Sequence, residues 1–373
     1  MIGILTFYWA DDYGALLQCY ALKTYMSRFD NTAVIPYYPK NLRYRYRLLK
    51  YSRSDKMRKK IRMIVHQLRT KEFYSRLAAK LRMAHFRRRF LTADFRKLDS
   101  ARSIPAYRPG ISAYIVGSDQ VWNPEITEGL QEGYFCAFPK PEGARFIAYA
   151  ASIGSERLDV AYDARIARYF ENFDAVSVRE GTSASYIEKL YGREPETVVD
   201  PVFLLEKKDW EQLLKNKDLS KKNYIAVYDT EYNEEMAHYI ASLREKLRLP
   251  VLVLRAEKRY YDWGGQEEYA RGCGPLEFLE YLYHAAYVVT NSFHGTAMSI
   301  IFHKSFAAFP HSKRNARLEW LLHAAGLESR MAHTIPEGVQ GMEKVDWHQV
   351  DKALQEEIER SRSFIRKEIL LSR

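Results

Sequence analysis

Cysteine is scarce in this chain. Cys19, Cys136 and Cys273 are an odd count with no CxxC spacing, which argues against a disulfide frame or a zinc site. Long apolar runs are missing too, since nothing approaches the ~20 residues that a membrane-crossing helix needs. The opening Met1-Ile2-Gly3-Ile4-Leu5-Thr6-Phe7 has no basic segment and no small-residue cleavage site. It reads as a first buried strand, and the expected location is the cytoplasm. No GxGxxG follows that strand, and GxxxxGKS/T, HExxH and GxSxG are absent. Nucleotide-hydrolase, zincin and α/β-hydrolase readings therefore have no anchor. No group of carboxylates, histidines or cysteines is spaced like a metal site, so metal independence is expected.

What is present suits a soluble enzyme. At 373 residues the chain is long enough for two cores, and its 47% apolar and 28% charged residues are ordinary globular proportions. Aromatics are abundant (28 Tyr, 18 Phe, 6 Trp), which suits sugar or peptide clefts and, more plainly, cores. The net charge of +11 is unevenly spread. Between Lys40 and Arg108 stand 23 Lys or Arg against four acids, leaving the rest of the chain mildly acidic. Such density exceeds what solubility requires. Anionic lipid headgroups, a diphosphate-linked acceptor and nucleic acid are its candidate partners.

Short apolar strands alternate with helical patterns over most of the chain, which predicts right-handed βαβ crossovers and mostly parallel sheets. Strands are expected at 2–8, 32–36, 113–116, 146–150, 175–178 and 197–199. A second series follows at 224–228, 250–254, 287–290 and 305–309. The tandem divides at 1–204, 205–340 and a helical tail, 341–373, that packs back. The charged stretch Leu205 to Lys222 reads as the connection. In the basic insert, about 40–108, Ile61, Ile64, Val65 and Leu68 fall at helical spacing, as do Phe73, Leu77 and Leu81. Two basic amphipathic helices follow, packed on the protein or lying in a membrane interface.

Four segments carry chemistry. Val288-Val289-Thr290-Asn291-Ser292-Phe293-His294-Gly295-Thr296 reads as strand, polar turn and a helix beginning near Gly295. Helix N–H groups and the positive dipole end there suit a phosphate beside Ser292 to Thr296. His294, with a reference pKa of ~6.5, can exchange protons at neutral pH. The plainer reading is a Ser-capped helix with a satisfied buried histidine. Gly117-Ser118-Asp119-Gln120-Val121-Trp122-Asn123 also follows a strand, and carboxylate, amide and indole together suit sugar hydroxyls and ring faces. An Asp capping a turn is the duller alternative. Arg179 in Ser177-Val178-Arg179-Glu180 could grip phosphate or carboxylate through two parallel donors, or simply pair with Glu180. Lys313-Arg314-Asn315-Ala316-Arg317 adds cations before an apolar helix.

In order along most of the chain, TFYWADDYGALLQCYAL, VGSDQVWNP, AYAASIG, SVRE, VVDPVFLL, VVTNSFHGTAMSIIF and NARLEWLLHAAGLESR resemble the polysaccharide pyruvyl transferase family. Asp12 stands where that family usually has Asn, and the basic insert matches nothing in it. The resemblance implies two Rossmann-like α/β domains in a glycosyltransferase-B-like arrangement, with acceptor side 1–204 and donor side 205–340. It implies transfer of pyruvate from phosphoenolpyruvate to two hydroxyls of one sugar. The product is a cyclic ketal on a surface polysaccharide or its lipid-diphosphate-linked precursor. No cofactor is implied, phosphoenolpyruvate being a co-substrate. His294 is then the general acid/base, Arg179 holds the donor's anionic groups, and Asp119 orients or deprotonates the acceptor. Ser292, Phe293, Gly295, Asn315 and Arg317 join the donor side, and Gln120, Trp122 and Tyr13 the acceptor side. Partners beyond these are an anionic membrane surface for residues 40–108 and no nucleic acid. A nucleotide-sugar glycosyltransferase would share the fold and is the alternative.

Overall fold

The computed structural model describes every residue except 45, 50–55, 93, 95, 215–222, 255–266, 313, 314, 333–343 and 373. Lys313, Arg314 and part of the connection Leu205 to Lys222 thus lie outside the described residues.

The first sheet comprises β1 (Ile2–Leu5), β2 (Thr32–Val34), β3 (Ala113–Val116), β4 (Arg145–Ala151), β5 (Ala175–Val178) and β6 (Glu196–Thr197). Its order is β2-β1-β3-β4-β5-β6, every pairing parallel. The second comprises β7 (Ile225–Tyr228), β8 (Val251–Val253), β9 (Glu267–Tyr269), β10 (Tyr287–Thr290) and β11 (Phe306–Ala308). Its order, β11-β10-β7-β8-β9, is again fully parallel and has the Rossmann pattern. The central strands are apolar throughout because helices cover both faces of a parallel sheet. Ile2–Leu5, Ala113–Val116 and Tyr287–Thr290 are buried at every position.

Both sheets reverse direction beside their first strand. The chain steps from β1 to β2 on one side and returns with β3 on the other. From β7 it steps to β8 and β9, then returns with β10. At each reversal, loops diverge from the carboxyl ends of adjacent strands and leave a crevice. The loops at issue begin at Thr6, Gly117, Asp229 and Asn291.

The sheets are joined by specific contacts. Helix Tyr13–Met26 sends Tyr13 across, where its ring stacks on Phe278 at 4.5 Å and its hydroxyl donates to the Cys273 carbonyl at 3.1 Å. Tyr13 is therefore buried in the joint rather than facing an acceptor, because its hydroxyl finds its partner there. The tail helix Trp347–Leu370 returns to the first sheet, with Ser361 Oγ accepting from the Val199 amide at 2.9 Å and Glu368 paired with Arg145.

The insert supplies two helices of opposite character. Lys71–Phe86 buries Phe73, Met83 and Phe86, and Arg82 reaches the Gly272 carbonyl at 2.5 Å. Of the row Phe73, Leu77 and Leu81, Phe73 is buried while Leu81 is 61% exposed. Met57–Leu68 buries nothing. Met57, Ile61, Val65 and Leu68, one face at helical spacing, are 40–70% exposed. The sequence pattern missed β9, whose Glu267-Glu268-Tyr269 lacks an apolar run because it is the sheet's edge.

Candidate active site

A cleft of about 220 Å³ opens where the two crevices face each other. Phe7, Ala10 and Asp12 enter it from the loop after β1, Asp119 and Gln120 from that after β3. Thr230 follows β7, Asn291 to His294 follow β10, and His311 and Arg317 follow β11.

His294 sits in the first turn of helix Phe293–Ile301, which begins two residues earlier than the sequence suggests because Ser292 caps it, accepting from the Gly295 amide. Gly295 admits no side chain, as a Cβ there would lie 2.4 Å from Thr290 Oγ1. Although His294 belongs to the second sheet, its surroundings come from the first. Nε2 lies 3.6 Å from Asp200 Oδ2, and a Cβ on Gly14 would come within 2.0 Å of Nδ1. Gly14 therefore makes room for the ring at the start of helix Tyr13–Met26. The amino ends of that helix and of Phe293–Ile301 are both directed at the cleft, two positive dipole ends.

Asp200 is fully buried and heavily used. Its Oδ2 accepts from Arg179 Nη1 at 2.7 Å and Ser118 Oγ at 2.9 Å, and Oδ1 accepts from the Val202 amide at 3.1 Å. Burial alone would raise its pKa, but His294 and Arg179 outweigh burial and hold the carboxyl well below the usual carboxylate range. Behind it, Arg179 lies 3.8 Å from Glu180, whose other oxygen accepts from Ser152. A buried chain thus runs Ser152, Glu180, Arg179, Asp200, His294.

This arrangement corrects the reading of Arg179 as a cleft residue. It is 0% exposed, held behind the wall by Asp200, Ser118 and the face of Phe293 at 5.1 Å. Arg317, by contrast, lines the cleft and lies over the same ring at 5.8 Å. Trp122 also departs from expectation. Its indole N–H donates to the Tyr134 carbonyl at 2.7 Å and its ring packs among Phe135, Phe170 and Phe173. That aromatic core leaves it no contact with the cleft. Asn315 is spent on its own turn, its carbonyl accepting from the His311 amide at 2.6 Å.

Asp119 and Gln120 do line the cleft. Asp119 adopts φ +88°, a strained conformation for a residue with a side chain, while its Oδ1 accepts from the Gln120 amide at 2.8 Å. Opposite stands Asp12, the cap of helix Tyr13–Met26, accepting from the Ala15 amide at 2.9 Å. Burial raises the Asp12 carboxyl above its ordinary range, and the Asp119 charge adds to that against the pull of the Ala15 amide and His294.

Sequence reasoning missed Asp200, Asp12 and His311. Asp200-Pro201 at a strand's end was a usable signal, because a carboxylate before proline at a sheet's carboxyl edge faces the crevice region. His311 sits 3.5 Å from Glu231 and follows β11, where no sequence pattern marks it.

Distant likenesses exist among solved structures. The MnaA–UDP complex of S. aureus is 10% identical, covering 96% of this chain and 88% of that one, with a TM-score of 0.47. UDP-GlcNAc 2-epimerase from Methanocaldococcus jannaschii is 9% identical, covering 95% and 90%, at 0.48. E. coli heptosyltransferase WaaC with ADP-2-deoxy-2-fluoro heptose is 9% identical, covering 95% and 99%, at 0.38. No curated protein matches. A family model does, over residues 12–313, which include His294, Asp200 and most of both sheets, and by that match the chain belongs to the polysaccharide pyruvyl transferase family.

Proposed function

We propose that the protein transfers the enolpyruvyl carbons of phosphoenolpyruvate to two hydroxyls of one sugar in a surface polysaccharide or its lipid-linked precursor. The observation that carries this reading is the buried Asp200 carboxylate facing His294 across the domain joint. A fixed carboxylate beside one imidazole nitrogen sets the ring's orientation. Nδ1, beside Gly14, is then the nitrogen that exchanges a proton with substrate.

The donor brings a phosphate and a carboxylate. Arg317 and two helix amino ends offer charge complementary to both. His294 protonates the methylene carbon, creating an oxocarbenium-like centre at the adjacent carbon. A sugar hydroxyl adds there, its proton passing to Asp119, which returns it to His294 before the next turnover. A second hydroxyl forms the other C–O bond as the bond to phosphate breaks, and inorganic phosphate leaves with the remaining proton. Two hydroxyl protons are thus balanced by one new C–H bond and one protonated phosphate. Arg179 acts through Asp200 and does not touch the donor.

The test is a purified-enzyme assay pairing phosphoenolpyruvate with lipid-diphosphate sugars, read by phosphate release and mass spectrometry. The reading expects phosphate release only with an acceptor, and a product carrying a pyruvate ketal. Transfer of a sugar from a nucleotide sugar, without use of phosphoenolpyruvate, would contradict it.

A further inference from the structure

A second histidine lines the cleft, and nothing in the proposed chemistry uses it. His311 enters from the loop after β11, the neighbour of β10, whose own loop carries His294. Two imidazoles thus reach one cleft of about 220 Å³ from adjacent strand ends. The groups around His311 that carry or exchange charge are Glu231 beside its ring, and Arg317, His294, Asp12, Asp119 and Tyr46 in the cleft lining.

His311 is held from outside the cleft. Its amide donates to Asn315 Oδ1 at 2.6 Å, and the preceding Pro310 carbonyl accepts from Asn233 Nδ2 at 3.3 Å. Its ring meets a carboxylate from a third loop, Nδ1 lying 3.5 Å from Glu231 Oε1. That loop follows β7 and is fixed in turn. Asn291 Oδ1 accepts from the Thr230 amide at 2.7 Å, and Asn291 Nδ2 donates to the Glu231 carbonyl at 2.9 Å. The Glu231 carboxylate also accepts from the Ser312 amide and hydroxyl, one on each oxygen. The loops therefore stay joined through Asn291 and Ser312 without the imidazole, whose side chain keeps 20% of its surface exposed. A preset ring beside a carboxylate, open to a reaction cleft, has the form of a proton-transfer group.

Resting on the pyruvyl-transfer reading, we infer that His311 is a second proton-transfer residue, acting at the phosphate end of phosphoenolpyruvate. With Arg317 and the amino end of helix Phe293–Ile301 it belongs to the second-sheet side of the cleft, where the donor's anions find their complement. The chemistry needs a proton at two places, the methylene carbon and the oxygen that bridges carbon to phosphorus. His294 has already given its proton to the carbon when the bond to phosphate is due to break. His311, as imidazolium, protonates the bridging oxygen through Nε2 as that oxygen leaves the carbon and the second hydroxyl's oxygen bonds to it. The hydroxyl's proton then passes to His311. The sugar loses one O–H, phosphate gains one, and the imidazolium is restored. With a reference pKa of ~6.5, a histidine exchanges protons readily near neutral pH.

The imidazole signals of the full chain, followed by nuclear magnetic resonance between about pH 5 and 8, test the contact without any sugar. His311→Gln identifies the signal by its loss. Inorganic sulfate, whose charge is constant over that range, and phosphoenolpyruvate should each raise the pH midpoint of the His311 signal by about 1 or more, the effect of an opposite charge nearby. Single turnovers with phosphoenolpyruvate and the lipid-diphosphate sugars of the assay above test the proton step. His311→Gln should still form the open adduct, which carries both the phosphate and the pyruvyl carbons. Its phosphate release should be slower by ~10²–10⁴-fold, so that the adduct accumulates in the mass spectrum. A merely structural histidine would slow both steps alike. That result, release at the wild-type rate, or a midpoint indifferent to both anions overturns the inference. If the wild type shows the midpoint shift but transfers sugar from a nucleotide sugar and leaves phosphoenolpyruvate unused, the anion contact at His311 stands. The pyruvyl-transfer reading then falls, and this proton step with it.

Discussion

His294 Nε2 and Asp200 Oδ2 stand 3.6 Å apart, one from each sheet, with Arg179 bonded to the same carboxylate oxygen at 2.7 Å. The gap is just beyond hydrogen-bond reach, and catalytic hydrogen bonds are often long in unliganded structures. Asp200 thus serves two masters, balancing a buried arginine and orienting the imidazole.

Asp200→Asn should therefore damage folding as well as turnover. It leaves Arg179 buried without its strongest counter-charge, a change that typically costs about 3–5 kcal/mol. Denaturant unfolding of Asp200→Asn, Arg179→Met and the double variant tests this. The double should be less destabilised than the sum of the singles, because removing both partners spares the uncompensated charge. Strict additivity would mean that the pair is not coupled.

Gly14→Ala tests the seat of the His294 ring. Alanine favours a helix by about 1 kcal/mol over glycine, but its Cβ would meet His294 Nδ1 at 2.0 Å. Turnover should fall at least about tenfold, the loss expected when a positioned acid/base is displaced, and the melting temperature should fall as well, because overpacking a buried site typically costs about 1–3 kcal/mol. Unimpaired turnover would place the reactive nitrogen elsewhere.

Asp12→Asn tests the carboxylate pair in the cleft. The folded-state pKa of Asp12 is raised, so its ionised form destabilises the fold at neutral pH. Asparagine keeps the helix cap and removes that charge. The variant should melt higher than wild type at pH 7, and the gain should vanish below the unfolded-state value of ~3.9, where Asp12 is neutral in both states. A gain equal at pH 7 and pH 3 would rule out the electrostatic origin.

The fold was largely legible in the sequence because its central strands are apolar on both faces and each ends in a polar turn. Edge strand β9 was not, having no buried face to leave a pattern. In the site, position along the chain was readable while side-chain direction was not. Arg179, Trp122 and Tyr13 sit beside the cleft in sequence, yet turn to Asp200, Tyr134 and Cys273. The Asp200–His294 relation is a tertiary meeting of two sheets, which no local spacing encodes.

The exposed stripe Met57, Ile61, Val65 and Leu68, flanked by Arg58, Lys59, Lys60, Arg62 and Arg69, suits shallow insertion at an anionic membrane face. Each basic residue near such a surface contributes about 1 kcal/mol. Co-sedimentation with liposomes should require anionic lipid, weaken with salt, and fall when Ile61 and Val65 become serine. Equal binding to neutral liposomes would refute electrostatic docking.

In the proposed chemistry, His294 moves the proton that starts transfer. Phosphate release from phosphoenolpyruvate by His294→Ala, measured at saturating acceptor on protein shown to be folded, tests it most directly. The predicted result is a loss of ~10²–10⁴-fold, the usual contribution of a general acid/base. Release at near the wild-type rate would contradict the claim and move the proton transfer to another group in the cleft.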